Sequence, residues 1–100
     1  MEITYKNKGY EKVCLDYSEA TKAYGEKIGT KVQLRIKQLR SVDTEEDLFG
    51  VDRCHPLKGK RKTQYAVELG QPWRLVFELI SKDPLTIRVV DIIDYHGKQV

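Results

Sequence analysis

The chain has 100 residues, with 18 Lys+Arg against 15 Asp+Glu for a formal charge of +3, which fits one domain and leaves no room for a second. With 40% hydrophobic and 33% charged residues, it can bury a core beneath a soluble surface, and disorder is excluded. No apolar run approaches the roughly 20 residues of a membrane span. Met1-Glu2-Ile3-Thr4-Tyr5-Lys6 lacks the charged-then-apolar layout of a signal peptide, so a cytoplasmic protein with no membrane partner is expected. Its two cysteines, Cys14 and Cys54, are expected to be reduced.

Glu2 to Tyr5 alternates apolar Ile3 and Tyr5 with polar neighbours and predicts one short strand. From Tyr10 to Val42 the apolar positions recur at helical spacing. Ala20, Ala23 and Tyr24 share one face, followed by Ile28, Val32, Leu39 and Val42, with Arg35 or Ile36 filling the step between. Gly25 and Gly29 punctuate this stretch and predict two helices with a break near residues 25–30. Thr44-Glu45-Glu46-Asp47 has the form of an N-cap followed by first-turn acids, predicting a helical turn that ends at Gly50.

After Gly59 the period switches to two. Three strand-like runs follow, Gln64 to Leu69, Trp73 to Ile80 and Leu85 to Asp94, separated by Gly70-Gln71-Pro72 and Ser81-Lys82-Asp83-Pro84. The predicted architecture is a single α+β domain over residues 1–100. An N-terminal strand and two helices lead into a three-stranded antiparallel meander that completes the sheet, with the helices on one face.

Hairpin register can be read from which pairing keeps the apolar face clean, because a slip of one residue inverts every side chain. A three-residue loop pairs Leu69 with Trp73, Val67 with Leu75 and Tyr65 with Phe77. Arg74 then lies across from Glu68 on the face that the helices need not cover. A four-residue loop before the last strand would set Asp91 across from Arg74 and place Tyr95 on that same face.

Charge is unevenly distributed. Residues 43–52 carry Asp43, Glu45, Glu46, Asp47 and Asp52 with no base, whereas residues 53–67 carry Arg53, Lys58, Lys60, Arg61 and Lys62 with no acid. The basic run is either a positive patch that attracts a polyanion or a solvated loop whose charges pair with the acids before it. His55 and His96 are the two histidines, and imidazole can exchange a proton near neutral pH. A metal site built from Cys14, Cys54, His55 and His96 lacks ligand spacing, and no metal or other cofactor is expected. Tyr65, Trp73 and Tyr95 offer flat surfaces for an unstacked base, with core packing the alternative, above all for Trp73. Cations, an arginine fork, two histidines and a tyrosine suit RNA cleavage by the adjacent 2′-hydroxyl. That reaction carries its nucleophile in the substrate and requires a base, an acid and stabilisation of phosphate charge.

Three blocks of this sequence resemble the HigB branch of RelE-type bacterial toxins. They are His55-Pro56-Leu57-Lys58-Gly59-Lys60-Arg61-Lys62-Thr63-Gln64-Tyr65, Trp73-Arg74-Leu75-Val76-Phe77 and Val90-Asp91-Ile92-Ile93-Asp94-Tyr95-His96. The resemblance implies a RelE-like fold and the toxin of a type II toxin–antitoxin system. It implies a ribosome-dependent endoribonuclease that cuts mRNA without a metal, with ribosome and mRNA as partners. It also implies neutralisation by a cognate helix-turn-helix antitoxin, with operator DNA contacted only through the antitoxin complex. Residue by residue, it makes His55, Arg74, Tyr95 and His96 catalytic. Arg74 would stabilise the charged phosphorane, and His96 is the favoured acid/base residue. Lys58, Lys60, Arg61 and Lys62 would bind RNA; the family often has an acid where Lys60 stands. Two alternatives remain open at this point, a ParE-like non-enzymatic inhibitor of DNA gyrase and a non-catalytic RNA-binding module.

Overall fold

Ile3 and Tyr5 give β1 (Glu2–Tyr5) an apolar side that rests on the core, and β1 forms one edge of a five-stranded sheet. The computed structural model describes residues 1–61 and 63–95, with the backbone alone at Arg61. After β1 come α1 (Lys8–Leu15) and α2 (Tyr17–Arg40), a 3₁₀ turn over Glu46–Gly50, and β2 (His55–Pro56). A second 3₁₀ turn at Gly59–Arg61 then leads to β3 (Gln64–Gly70), β4 (Trp73–Lys82) and β5 (Leu85–Asp94). The sheet order is β1-β5-β4-β3-β2, with β1 parallel to β5 and the remaining neighbours antiparallel. No helix among the described residues is long and apolar enough to cross a membrane.

Side chains rather than helix propensity set the helix boundaries. The Asn7 carboxamide oxygen accepts from the Tyr10 amide at 2.9 Å and starts α1 two residues before the apolar periodicity does. Asp16, in extended conformation, ends α1 and starts α2. Its own amide donates to the Lys12 carbonyl, and its carboxylate accepts from the Ser18 and Glu19 amides at 2.8 and 3.4 Å. The expected break at Gly25 is present (φ 85, ψ 166), and there the chain doubles back. Thirteen residues of straight helix would span about 20 Å, yet the Thr30 hydroxyl lies 3.5 Å from that of Tyr17. Further along, the Gln33 amide donates to the Val13 and Cys14 carbonyls at 2.8 and 3.2 Å. Gly29 stays helical and is the point of closest approach, where an added Cβ would lie 3.0 Å from the Thr21 nitrogen. The helical region is therefore an antiparallel hairpin turning at Gly25, with an additional interruption at Asp16.

The hairpin covers one face of the sheet. Ile28, Val32, Ile36 and Leu39 pack against Val67, Leu69, Leu75, Phe77, Ile87, Val89 and Ile92 in the main core. Trp73 joins this core edge-on to Tyr24 at 5.2 Å, and Tyr65 stacks on Phe77 at 5.7 Å. Both rings thus face the helices. A smaller cluster on the opposite face gathers Leu57, Ala66 and Val76 beneath Val90, Ile93 and Tyr95.

The β3–β4 register pairs Tyr65 with Phe77, Val67 with Leu75 and Glu68 with Arg74, as the apolar pattern predicts. Trp73 lies across from Gly70 instead of Leu69, because a bulge between Glu68 and Gly70 absorbs one residue and shortens the turn to Gln71-Pro72. The β4–β5 register corrects the expected one. Lys82 pairs with Leu85, so the loop is two residues and Arg74 faces Ile93. Asp91 lies across from Val76 and accepts from the Tyr10 hydroxyl at 2.9 Å. A displacement of two residues preserves the faces, so Tyr95 still falls on the side of Arg74.

The two-residue strand β2 has no counterpart in the predicted elements, being too short to show a period. It is placed by the segment before it. Arg35 on α2 is buried at 5% exposure. It donates to the Glu68 carbonyl (2.6 Å), to Gln38 (3.0 Å) and to the Asp52 carboxylate (2.7 Å). With the Glu68 amide donating to the Asp52 carbonyl at 3.3 Å, this fixes residues 51–54 against β3.

Candidate nucleic-acid interface

The face that the helices leave open carries the charged side chains of the central strands. Alternation puts Glu68 of β3 and Arg74 of β4 side by side there, with an Arg74 Nη1 to Glu68 Oε2 distance of 3.7 Å. Arg53, on the loop before β2, approaches the same Oε2 at 3.5 Å through its own Nη1. Both separations exceed the 2.7–2.9 Å of a charge-assisted hydrogen bond. Arg74 Nη1 and Glu68 Oε2 are each buried without a hydrogen-bond partner, so charge alone joins them. The Arg74 guanidinium also lies 5.6 Å from the centre of the Tyr95 ring, within cation–π range. Tyr95 is held by its backbone, whose amide donates to the Pro72 carbonyl at 2.9 Å.

His55 is exposed and lies across from Ala66, itself across from Val76. At ordinary strand spacing and rise its Cα is roughly 12 Å from that of Arg74. Its Nδ1 is 2.8 Å from the Arg53 carbonyl oxygen. A carbonyl only accepts, so the proton is on Nδ1, and in the neutral ring Nε2 is left with the lone pair. Lys58 and Lys60 are exposed on the loop that follows β2. Among the described residues, Asp52 pairs with Arg35 and Glu45 with Lys82.

His55, Arg74 and Tyr95 thus belong to one open face bordered by the Lys58–Lys60 loop. Lys62, His96 and the side chain of Arg61 lie outside the described residues. Tyr65 is withdrawn from the set of stacking platforms by its contacts with Phe77 and with Phe49, which meets it at 6.1 Å. Among the described residues no group of three or more His, Cys, Asp or Glu side chains could hold a metal ion. Both thiols are buried, and burial pushes Cys14 up to about 12 and Cys54 up to about 11. The sequence pattern missed the meeting of Arg53 with Glu68. Strand register finds Glu68 opposite Arg74, but nothing in the local pattern of Val51-Asp52-Arg53-Cys54 tells where Arg53 will point.

No protein-family model matches this sequence, and no curated protein does. Solved structures match it at low identity over nearly their whole length. A YoeB/ParE toxin from Agrobacterium tumefaciens is 15% identical, with a TM-score of 0.65 over 92% of this chain and 95% of that one. The YoeB-YefM complex from Staphylococcus aureus is 21% identical, with a TM-score of 0.59 over 92% of this chain and 93% of that one. The YoeB dimer from Staphylococcus aureus is 21% identical, with a TM-score of 0.58 over 91% and 92%. The chain shares the fold of these toxins. That is the α+β architecture expected from the order of strand, helices and meander, and the RelE-like fold that the sequence blocks imply. The neighbours bear YoeB and ParE names, so the HigB branch rests on the sequence blocks alone.

Proposed function

We propose that this protein is the toxin of a type II toxin–antitoxin system, of the HigB branch, and that it cleaves mRNA on the ribosome. The observation that carries this reading is the Arg74 guanidinium, set between Glu68 and the Tyr95 ring on the uncovered face, beside an exposed histidine and a basic loop. Arg74 offers a planar fork to the non-bridging oxygens of a phosphodiester, where charge grows as the adjacent 2′-hydroxyl attacks. His55 Nε2 would take the hydroxyl proton while Nδ1 stays anchored to the Arg53 carbonyl. His96 is the proposed acid for the departing 5′-oxygen, and Lys58, Lys60, Arg61 and Lys62 the contacts to flanking phosphates. The attacking group belongs to the RNA, so no metal is required.

An antitoxin partner is proposed on the same basis, since one of the structural neighbours is a complex of YoeB with YefM. Ribosome and mRNA are the proposed targets, and operator DNA would be reached only through the antitoxin. A gyrase-directed role is the second reading, favoured by the YoeB/ParE name of one neighbour. Both are tested by mapping RNA ends after brief induction of the wild type, Arg74→Ala and His96→Ala. Losing a charge-stabilising or proton-transfer group should slow cleavage about 10²–10³-fold, and chelator should leave the wild-type rate unchanged. Intact transcripts accompanied by DNA damage signalling would favour the gyrase reading and end the nuclease one.

A further inference from the structure

Arg53 has φ of 52°, the one positive value at a non-glycine residue among the described residues. This left-handed conformation is unfavourable for a side chain with a Cβ, and such strain persists only where the surroundings impose it. Four contacts impose it here. Arg35 holds Asp52 at 2.7 Å. The Glu68 amide donates to the Asp52 carbonyl, and the Cys54 amide to the Val51 carbonyl. His55 Nδ1 donates to the carbonyl of Arg53 itself. The result directs a guanidinium that is 72% exposed toward a carboxylate that is 12% exposed.

The charges at this place do not cancel. One Glu68 oxygen faces two cations, Arg53 at 3.5 Å and Arg74 at 3.7 Å, leaving a net positive charge. Arg74 is 20% exposed and sits under Tyr95, so the excess is presented to solvent by Arg53. The two Nη1 atoms lie within about 7 Å of each other, since both touch Oε2. Arg74 Nη1 is itself buried against Glu68, so a phosphate placed between the two arginines would meet Arg53 on one side and the remaining nitrogens of the Arg74 fork on the other.

We propose that Arg53 is a phosphate-binding residue of the site, closing with Arg74 on the same phosphodiester, and that Glu68 is the counter-ion holding the pair apart when no RNA is bound. On binding, Arg53 leaves Glu68 for the phosphate, and Glu68 remains with Arg74, whose buried charge needs it. This rests on the reading of the open face as an RNA site. It adds a residue that neither the histidine nor the lysine pattern selects.

The test uses Arg53→Gly, which relieves the backbone while deleting the side chain, with Arg53→Lys as the partner variant that keeps charge without the fork. Three quantities are compared with the wild type: melting temperature, cleavage rate on programmed ribosomes, and the salt dependence of binding to a non-cleavable 2′-deoxy oligonucleotide. Arg53→Gly is expected to melt at or above the wild-type temperature and cut at least tenfold more slowly. Its log–log salt slope should fall by about 0.7, one single-strand phosphate contact. Arg53→Lys should recover the slope but only part of the rate. A rate for Arg53→Gly within twofold of wild type, or a loss matched by a lower melting temperature, would overturn the proposal. If the slope falls as expected while even the wild type cuts nothing, the phosphate site stands and the nuclease reading fails.

Discussion

Arg35 is the most exacting test of how the fold positions the open face. Replacing it with Met keeps the length and the apolar stem but removes three donors at once, those to the Glu68 carbonyl, Gln38 and Asp52. Truncating one partner of a buried ion pair costs about 3–5 kcal/mol. Asp52 is half exposed and recovers hydration when its partner goes, which brings the expected loss down to about 3 kcal/mol. For a domain of this size that is about 12–24 °C in melting temperature and a large fraction of a typical 5–15 kcal/mol stability. In urea the midpoint should fall with the slope unchanged, because the same surface is exposed on unfolding. At temperatures where Arg35→Met is still folded, hydrogen exchange at the Cys54 and Glu68 amides should quicken more than at β4, since the segment tied by Asp52 is the one released. A loss below about 0.5 kcal/mol, the scale of an ordinary surface change, would show that the arginine is dispensable to the segment before β2.

Two glycines of the helical hairpin should fail for different reasons. Gly25→Ala adds a Cβ that meets nothing within 4 Å, yet forces alanine into φ 85, ψ 166. It should cost about 1–3 kcal/mol through the backbone alone. Gly29→Ala has ordinary helical torsions, but its Cβ would lie 3.0 Å from the Thr21 nitrogen and 3.1 Å from the Ala20 carbonyl carbon. Backbone atoms cannot step aside as a side chain can, so a loss of about 1–3 kcal/mol is expected despite the gain in helix propensity. A stabilised Gly29→Ala in urea titration would mean that the arms part freely. Stability should also fall above pH 9. Cys14 and Cys54 are raised from an ordinary 9.0 to about 12 and about 11. From pH 9 upward the unfolded chain therefore sheds thiol protons that the native chain keeps. Their contribution is complete below pH 9 and declines toward pH 11–12, by up to about 1.4 kcal/mol per pH unit for each thiol. Urea midpoints at pH 8, 10 and 11 measure it, and a flat profile would refute the burial of the thiols.

Much of the architecture was legible because it follows from repeating patterns. Val67, Leu75 and Phe77 had to share a face, which fixed the β3–β4 register and placed Arg74 opposite Glu68 away from the helices. Gly25 announced a break between two helices, though not that the chain doubles back there. The interruption at Asp16 was also legible, as an Asp followed by Glu three residues later, but the surrounding helical period hid it. What could not be read has no period. The bulges between Val76 and Phe77 and between Leu79 and Ser81 fall on opposite strands and cancel, so Asp91 is two positions from its expected partner because the loop holds two residues rather than four. β2 is two residues long and exists because Arg35 and Asp52 deliver it to β3, a contact between positions 17 apart in sequence. Of the candidate site, Arg74 and Tyr95 were brought together by strand alternation alone. The role of Arg53 depends on one unusual torsion that no sequence rule predicts for arginine.

The electrostatics of the open face also explain why the proposed chemistry would depend on a second surface. Arg53, Lys58 and Lys60 are exposed, while Arg74 is mostly covered and already neighbours a carboxylate. With Arg61 and Lys62 included, six such contacts on a single strand correspond to a salt slope of about −4.2, and purely electrostatic binding of this kind is worth micromolar to sub-millimolar affinity at physiological salt. That suffices to concentrate RNA near the sheet but does not choose one phosphodiester and align its 2′-hydroxyl for attack, which is where most of the rate advantage of an intramolecular reaction lies. Adding cations would tighten binding to every RNA equally, without orienting any. A partner that presents the message in a fixed conformation would supply the missing alignment. On this reasoning, an extra lysine in the exposed segment after the basic loop, such as Thr63→Lys, should tighten binding to free oligonucleotide while leaving cleavage of unprogrammed RNA negligible. Efficient cutting of free RNA by that variant would show that alignment resides in the protein itself.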